Sequence, residues 1–386
     1  MKIAFVGPVL HPTGYGRAAN DYCMAMLKAG IDVVVIPPVD ITEAELEQVD
    51  DRHRPLLECF GDLGNPDVVI VHALPFACSS FLTDLRLPKS VLKVALTTYE
   101  TETLSQSSID DLEANFDLIV VPSMYNWNSF RRQMRTPEKC VVIPHTFDPE
   151  HWDNTRGVDR LNTEYVFYTI MTFCERKNPI GLLKAYLTEF GKDDDVVLKI
   201  RTPGYGEKEL ADLVRMLKID YLPPVEMLCD PLNQEELLNL HMSSDCYVTT
   251  TRAEGWGLGA FEARLLGNPV IATGYSGLLD FLWPSDRVKL VPYFLTPAVT
   301  PETEDNRTLN VHGLEIKPIL RKDHMGIGGD QEWAEPDLHT TKKLMRQAYE
   351  EEWSWDRADE AKLRERFSYE TVGQLILKTF SDALER

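Results

Sequence analysis

Short apolar runs alternate with amphipathic segments along most of the chain, and this alternation constrains the fold more than any other feature. The runs are rich in β-branched residues and lack period-two alternation, so they are predicted to be strands covered on both faces. Such strands belong to parallel sheets built from βα units. The predicted strands are Ile3–Gly7, Asp32–Ile36, Asp67–His72, Val91–Thr97, Asp117–Pro122, Lys139–Pro144, Tyr165–Phe173, Asp195–Arg201, Val225–Cys229, Cys246–Thr250, Pro269–Thr273 and Val288–Val291.

The strand–helix rhythm occurs twice and is interrupted by a polar stretch at about residues 148–164, which is the predicted interdomain linker. We therefore predict an α/β fold with two Rossmann-like domains, over residues 1–150 and 164–365, and a cleft between them. Ligands of such sheets lie at the carboxyl ends of the strands. Residues 293–335, with the glycine-rich run 326–329, fit neither a helix nor a strand and are predicted to form an excursion or lid.

Composition narrows the class of protein. The 386 residues are 44% apolar and 26% charged, which suits two soluble domains. A net charge of −21 disfavours non-specific binding to nucleic acid or to an anionic membrane face. The seven cysteines are scattered without a C-x-x-C pair, as in reduced proteins. The chain opens on a predicted strand, and no apolar run approaches the roughly 18 residues of a membrane span, so we expect a cytoplasmic protein.

Two carboxylates bracket a glycine-rich turn between a predicted strand and the helix that follows it. Glu254 precedes the helix, Gly257, Leu258 and Gly259 open it, and Glu262 lies about a turn and a half inside. A helix N-terminus gathers unpaired N–H groups and partial positive charge, and glycines let the backbone approach an anion closely. The pattern predicts an anion site. The alternative is a glycine-rich turn with two solvated glutamates.

A second candidate anion site follows the first strand of the second half. Asn178 and Pro179 supply a cap and a first-turn proline, so a helix is predicted to begin there. Arg176 and Lys177 stand directly before that helix start. Two cations beside a helix N-terminus can hold a diphosphate. The alternative is a solvated basic turn.

A third glycine-rich helix start, Gly14 to Ala19, satisfies the G-x-G-x-x-A pattern of dinucleotide-binding proteins, so an NAD-dependent oxidoreductase has to be considered. Two details count against it. The loop Pro8–Thr13 separates the pattern from its strand, and Asp40, the acid closest to the expected ribose position, follows two prolines. A helix start that simply requires small residues is the remaining interpretation.

Taken together, the Glu254 to Glu262 element and the turn at Arg176 resemble retaining GT-B glycosyltransferases of family four, with their E-x7-E signature. The resemblance extends over most of the chain. It departs from the family pattern at Arg176, which is adjacent to Lys177 instead of several residues before it, and at His145 and Thr146, where an Asn and a Gly are common. It implies two sheets facing each other across a cleft, with the segment 366–386 crossing back as a helix onto the N-terminal domain.

The resemblance implies roles for individual residues. The anion is then the diphosphate of a nucleotide sugar, and Glu254, Lys177 and Arg176 are the candidate catalytic residues. Glu254 would lie by the donor sugar and Glu262 would hold the ribose. The glycine loop at Gly16 would face the diphosphate. The predicted donor-binding set is Gly14, Gly16, Arg176, Lys177, Glu254, Gly257, Leu258, Gly259 and Glu262.

The acceptor side is less specified. His72, Tyr99 and Glu100 lie at predicted strand ends of the N-terminal domain and are the candidates for acceptor contact. The nine histidines lack paired spacing, so no metal and no further cofactor is expected beside the donor substrate. The acceptor could be a glycan, a lipid, a small metabolite or, against the negative charge, a modified DNA base. A nucleotide-sugar epimerase, a phosphorylase and a non-catalytic binding module remain as alternatives on the same fold.

Overall fold

The computed structural model describes residues 1–38, 46, 49–83, 85–148, 163–203, 210–212, 214–215, 221–230, 232–298, 309–311, 314–316, 331–354 and 361–386. Contacts divide the chain into two compact units, one comprising Met1–Arg156 with Ala361–Arg386, and the other Gly157–Glu360. Most of the predicted linker (residues 149–162), the acid Asp40 and the glycine-rich run 326–329 lie outside the described residues.

The strands of the described part are, in chain order, β1 Lys2–Val6, β2 Asp32–Ile36, β3 Val68–His72, β4 Leu92–Leu96, β5 Leu118–Val121, β6 Cys140–Val142, β7 Tyr165–Ile170, β8 Val196–Arg201, β9 Val225–Leu228, β10 Cys246–Thr249, β11 Val270–Thr273, β12 Val288–Val291, β13 Tyr293–Pro297, β14 Leu309–Val311, β15 Leu314–Ile316 and β16 Glu332–Pro336. Each predicted strand is therefore a strand in the structure. The predicted and observed ends differ by at most three residues, and the strands at Asp32–Ile36 and Val288–Val291 match at both ends.

The α-helices of the described part are α1 Gly14–Lys28, α2 Gln106–Asn115, α3 Met124–Arg131, α4 Pro179–Leu187, α5 Gln234–Ser243, α6 Leu258–Leu266, α7 Leu338–Glu350, α8 Ala361–Arg366 and α9 Tyr369–Leu384. Short 3-10 helices occur at Asp51–Cys59, Ser79–Leu82, Pro137–Lys139 and Ser276–Asp280. Across these described residues, no helix combines the length and apolar character that crossing a membrane requires.

Each unit contains one six-stranded sheet in which all neighbouring strands are parallel. The first sheet has the order β2-β1-β3-β4-β5-β6. The second has the order β12-β11-β10-β7-β8-β9, so the chain runs outward from β7 to β9 and then returns to build the other half from β10 to β12. The order reverses between β7 and β10, and ligands of doubly wound sheets bind beside that reversal, at the carboxyl ends of the strands.

Aspartates directly before strands help to set the sheet edges. In the first unit, Asp67 and Asp117 each accept a hydrogen bond from the backbone N–H of a neighbouring strand, at Lys2 and Lys93, both at 2.8 Å. In the second unit, Asp245 accepts one from an amide of β7 at the same distance. These carboxylates satisfy N–H groups at the amino ends of parallel strands, where the ladder has no partner for them.

The C-terminal helix α9 packs in the core of the first unit. Its apolar face of Val372, Ile376 and Phe380 belongs to the cluster that also contains the inner face of α1. A Cβ atom at Gly373 would lie 2.2 Å from the carbonyl oxygen of Ala25, so only glycine lets the two helices approach this closely. The C-terminal helix is thus part of the hydrophobic core of the first unit.

The prediction that residues 293–335 fit neither helix nor strand was wrong for most of the part of that segment that the structure describes. Strand β13 pairs antiparallel with β16, with Leu295 opposite Ala334, and β14 pairs antiparallel with β15. Tyr293, Phe294 and Leu295 are exposed, so β13 does not show the buried apolar pattern by which the sheet strands were predicted. Its pairing partner lies far along the chain, and a local pattern does not reveal such a partner.

Candidate functional site

Two loops meet at the point where the strand order of the second sheet reverses. The first, residues 171–178, leads from β7 into α4, and the second, residues 250–257, leads from β10 into α6. Hydrogen bonds join the two loops, from the N–H of Arg252 to the carbonyl oxygen of Arg176 at 2.7 Å and from the Thr250 hydroxyl to the carbonyl oxygen of Asn178 at 2.9 Å. They lie at the carboxyl edge of the sheet, where a doubly wound fold has its ligand crevice. Both candidate anion sites of the second half lie at this one edge.

The loop after β7 ends in the predicted helix start. Asn178 adopts the left-handed conformation (φ 52°), and its side-chain oxygen accepts from the N–H of Gly181 at 3.0 Å. Pro179 occupies the first helical turn, where its missing N–H costs nothing. This cap fixes the direction of α4 and holds the preceding residues, Arg176 and Lys177, in the loop beside the carboxyl end of β7. The predicted helix start is confirmed.

Helix α6 begins differently from the other helices. Its N-cap residue, Gly257, has φ 99° and supplies no side-chain cap. Elsewhere in the described chain, every α-helix with a characterised N-cap is capped by a side chain, from Thr13, Ser105, Ser123, Asn178, Asn233, Asp337 and Ser368. Gly257, Leu258 and Gly259 are half-exposed. The first N–H groups of α6 are therefore left to a ligand or to water.

Gly259 is required for packing as well. A Cβ atom there would lie 2.6 Å from the hydroxyl oxygen of Tyr247 and 3.2 Å from Cβ of Ile170. The helix start consequently sits against the two central strands, β7 and β10, closer than any side chain would allow. This brings the partial positive end of α6 into the crevice.

Glu254 lies in the middle of a buried charge cluster. One carboxylate oxygen, Oε1, accepts from Lys177 Nζ at 2.5 Å and from the Thr251 hydroxyl at 3.0 Å. The other, Oε2, accepts from Arg176 Nη1 at 3.1 Å. Glu254 is 7% exposed and Arg176 is 8% exposed. The sequence predicts that these three residues surround one diphosphate, but it does not predict that Glu254 pairs directly with cations 77 and 78 positions away.

Charge neutralisation keeps the Glu254 carboxyl ionised. Burial by itself raises the pKa of this carboxyl, but the nearby charges of Lys177 and Arg176, with hydrogen bonds from Lys177 and Thr251, outweigh burial and leave the pKa below its ordinary value. At neutral pH the site therefore holds one carboxylate between two cations.

A turn after β11 holds the Glu254 backbone in place. The N–H of Glu254 donates to the Ser276 hydroxyl at 2.9 Å, and the N–H of Gly277 donates to the Glu254 carbonyl at 2.9 Å. A Cβ atom at Gly277 would lie 2.1 Å from the carbonyl oxygen of Gly255, so glycine is needed for this contact. The turn at Ser276 therefore positions the loop that carries Glu254.

Arg252 is a further charged residue in the loop that carries Glu254, and no role for it is predicted from the sequence. Its guanidinium pairs with Glu175 at 2.7 Å and with Glu335 at 2.5 Å, and it lies 5.5 Å from the ring centroid of Trp333. Glu335 also accepts from the Asn178 side chain at 3.5 Å. These contacts tie β16 to both crevice loops. A basic residue two positions before a site glutamate is the only local signal for Arg252.

Glu262 is also buried, at 5% exposure, in the second turn of α6. Its Oε2 lies 3.5 Å from Nε2 of His241, a fully buried residue of α5. No role for His241 is predicted from the sequence, because the nine histidines lack paired spacing. The two glutamates of the signature thus have different surroundings, cations for Glu254 and an imidazole for Glu262.

The glycine pattern at the start of α1 has a steric explanation. A Cβ atom at Gly16 would lie 2.1 Å from the carbonyl oxygen of His11, and the N–H of Gly16 already donates to the Thr13 hydroxyl at 3.0 Å. Gly14 is exposed at the first position of the helix. The helix cap thus uses the Gly16 N–H, and the expectation that the glycine loop at Gly16 faces a diphosphate stays a prediction.

The three acceptor candidates lie at the carboxyl ends of β3 and β4 in the first unit, and all three are buried. His72 packs against Tyr15, with ring centroids 5.0 Å apart. Burial, with a smaller contribution from His145, lowers the pKa of His72 to about 3, so its imidazole is neutral at physiological pH. Tyr99 and Glu100 are 4% and 6% exposed. Their part in acceptor binding stays a prediction.

Comparison with known proteins extends these observations. Residues 185–358 match the family described as Family 4 Glycosyltransferase in conflict systems, a range that includes Glu254 and Glu262. The chain is 27% identical over 166 residues to D-inositol 3-phosphate glycosyltransferase of Corynebacterium kroppenstedtii. That match spans 36% of each protein, so it covers about a third of the relative's length.

Solved structures share the whole fold. Anabaena Alr3699/HepE in complex with UDP-glucose superimposes with a TM-score of 0.65 at 15% identity, covering 99% of this chain and 100% of that one. A glycosyltransferase from Rickettsia africae ESF-5 gives a TM-score of 0.63 at 14% identity, covering 100% and 99%. At these identities the likeness concerns the fold, which is GT-B. The chain therefore has the GT-B fold, and its residues 185–358 are similar to glycosyltransferase family four.

Proposed function

We propose that this protein transfers a sugar from a nucleoside-diphosphate sugar to an acceptor hydroxyl with retention of anomeric configuration and without a metal ion. The observation that carries the proposal is the buried arrangement of Glu254 between Lys177 and Arg176, beside the uncapped start of α6. A cation pair, open backbone N–H groups and a carboxylate at one strand-order reversal suit a ligand that has both a diphosphate and a sugar.

The cations supply the electrostatic part of the reaction. As the bond between the anomeric carbon and the β-phosphate oxygen breaks, negative charge accumulates on the departing diphosphate. Lys177, Arg176 and the N–H groups at Gly257–Gly259 are preorganised for that charge, which is the usual source of large rate enhancements. Two fixed cations at this position would take the part that a metal ion has in other transferases.

Glu254 would act on the sugar. Its ionised carboxylate can accept hydrogen bonds from sugar hydroxyls and stabilise the positive charge that develops at the anomeric carbon. The acceptor oxygen forms its bond to the anomeric carbon on the face from which the diphosphate leaves, and the acceptor proton passes to the departing phosphate oxygen. No proton acceptor other than the leaving group is then needed.

The donor would be a uridine nucleotide, by analogy with the Anabaena neighbour, whose structure contains UDP-glucose. We propose that the second unit binds this donor, with Glu262 contacting the ribose. The first unit would bind the acceptor through the region of His72, Tyr99 and Glu100. The acceptor would present its hydroxyl on a glycan, a lipid, a small metabolite or a modified DNA base.

A binding screen followed by product analysis tests the proposal. Thermal unfolding is measured with nucleoside diphosphates, their sugars and NAD, and we expect UDP and a UDP-sugar to raise the midpoint more than NAD does. The best donor is then incubated with candidate acceptors in EDTA, and the anomeric configuration of the product is determined by NMR. Stabilisation by NAD alone would refute the proposal. Sugar epimerisation without an acceptor, or an inverted product, would refute the reaction as stated.

A further inference from the structure

A buried chain of polar groups ends at the second glutamate of the signature. His241 of α5 lies between Tyr168 of β7 and Glu262 of α6, and both His241 and Tyr168 have no exposed surface. The Tyr168 hydroxyl is 2.8 Å from Nδ1 of His241, and Nε2 is 3.5 Å from Oε2 of Glu262. Asn268, just after α6, donates from Nδ2 to the Tyr168 hydroxyl at 2.8 Å and to the His241 carbonyl at 2.8 Å.

The hydrogen bonds determine which nitrogen of His241 carries the proton. The Tyr168 oxygen accepts from Asn268, so its own hydrogen needs an acceptor in a place that water does not reach. The acceptor at 2.8 Å is Nδ1 of His241. Nδ1 is then unprotonated and Nε2 carries the hydrogen, which faces Glu262 across the 3.5 Å to Oε2 as a dipole beside a charge, without the geometry of a hydrogen bond. The donors therefore run in one direction, from the amide of Asn268 through the Tyr168 hydroxyl to His241, whose N–H dipole lies beside the carboxylate.

The orientation of Glu262 is thereby coupled to this chain. Helical side chains lean towards the N-terminus, so the Glu262 carboxylate lies over the turn that begins α6. A carboxylate is planar, so fixing the direction of Oε2 also fixes that of Oε1. We propose that His241 is a positioning residue that orients Glu262 for the ribose hydroxyls of the donor nucleotide. This inference rests on the proposed function, in which Glu262 contacts the ribose.

Comparing two ligands that differ only in the ribose hydroxyls measures how much these hydroxyls contribute to binding. The dissociation constants of UDP and of 2′,3′-dideoxy-UDP are measured by calorimetry, and their ratio reports how strongly the protein uses the ribose hydroxyls. For the unaltered protein we expect UDP to bind at least about tenfold more tightly, the value of roughly one hydrogen bond to a charged group. A variant that merely loosens the fold weakens both ligands together and leaves the ratio unchanged.

Two substitutions at position 241 distinguish the contribution of Nε2 from that of Nδ1. His241→Gln keeps a donor near the Nε2 position, facing Glu262, whereas His241→Asn keeps a polar atom only near Nδ1, facing Tyr168. We expect His241→Gln to retain most of the ligand ratio and His241→Asn to reduce it to about threefold or less. Tyr168→Phe removes the hydroxyl that selects the tautomer and should reduce the ratio of the dissociation constants as well. This variant tests the role of His241 if His241→Asn does not fold.

The outcomes distinguish this inference from the function on which it rests. If UDP does not bind the unaltered protein, or binds no better than its dideoxy form, the proposed ribose contact fails first. If the unaltered protein discriminates and both His241→Asn and Tyr168→Phe discriminate equally well, the donor assignment stands and the positioning role of His241 is refuted. Equal loss of discrimination in His241→Gln and His241→Asn would also refute it, because the directed donor at Nε2 would then be irrelevant.

Discussion

Glu254→Gln changes the shape of the site very little but removes the negative charge that lies between Lys177 and Arg176. Removing one partner of a buried ion pair costs about 3–5 kcal/mol, because a cation is left without its counter-charge. The glutamine oxygen still accepts a hydrogen bond, so we expect a free energy of unfolding lower by about 3 kcal/mol. For a unit of this size, that lowers the melting temperature by roughly 6–12 °C.

The same substitution should strengthen binding of UDP. In the unaltered protein, a diphosphate has to share Lys177 and Arg176 with Glu254, whereas in the variant it is the only anion for both. One hydrogen bond between charged groups is worth about 1.5–3 kcal/mol. We therefore expect the dissociation constant of UDP to fall by about tenfold or more. Sugar transfer should be lost at the same time, since the carboxylate proposed to act on the sugar is gone.

Calorimetric titration of UDP into both proteins measures the effect, and Glu175→Gln is the matched control. Glu175 is a carboxylate in the loop that carries Lys177, but it pairs with Arg252. We expect Glu175→Gln to change the UDP dissociation constant by less than about threefold. Unchanged or weaker UDP binding in Glu254→Gln would contradict the reasoning, because Glu254 would then not compete with the diphosphate for the cations.

The depressed pKa of Glu254 adds a pH dependence with a defined sign. A carboxyl whose pKa is lower in the folded protein stabilises the fold fully above its unfolded pKa, near 4.5, and loses that contribution as the pH falls through the folded value. The stability difference between the unaltered protein and Glu254→Gln should therefore be constant near neutral pH and shrink below about pH 4.5. Urea unfolding at a series of pH values measures it, and a difference that grows on acidification would refute the ion-pair account.

Three further predictions follow from particular contacts. Lys177→Met should weaken UDP binding by about tenfold or more and reduce transfer further, measured by calorimetry and UDP release. Unaltered UDP affinity would remove this lysine from the donor site. Gly259→Ala should lower stability by about 1–3 kcal/mol, because its Cβ would meet a tyrosine hydroxyl of β10 at 2.6 Å, whereas Gly61→Ala, with its nearest neighbour at 3.9 Å, should be nearly neutral. Equal melting of the two variants would contradict this. Tyr369→Phe removes a 2.6 Å hydrogen bond to the buried carboxylate of Asp21 and should lower the free energy of unfolding in urea by about 1.5–3 kcal/mol. An unchanged free energy of unfolding would show that this bond does not stabilise the fold.

Much of the architecture is readable from local patterns. The buried strands appear as uninterrupted apolar runs because parallel sheets covered on both faces exclude polar side chains. Asn178 and Pro179 predict a helix start because an N-cap residue and a first-turn proline affect only the backbone within a few residues of them. Gly257 and Gly259 mark a helix that begins without a side-chain cap, which is also a local property.

The sequence by itself therefore determined the two α/β sheets and the position of the glycine-rich helix start. The tertiary structure alone decided that Glu254 is held by Lys177 and Arg176, and that His241 faces Glu262. It also decided that β13 pairs with β16, in a segment whose exposed apolar residues gave no strand pattern. The physical reason is distance along the chain. Caps and periodicity act between near neighbours, whereas these partners meet only after the strands have packed in their final order.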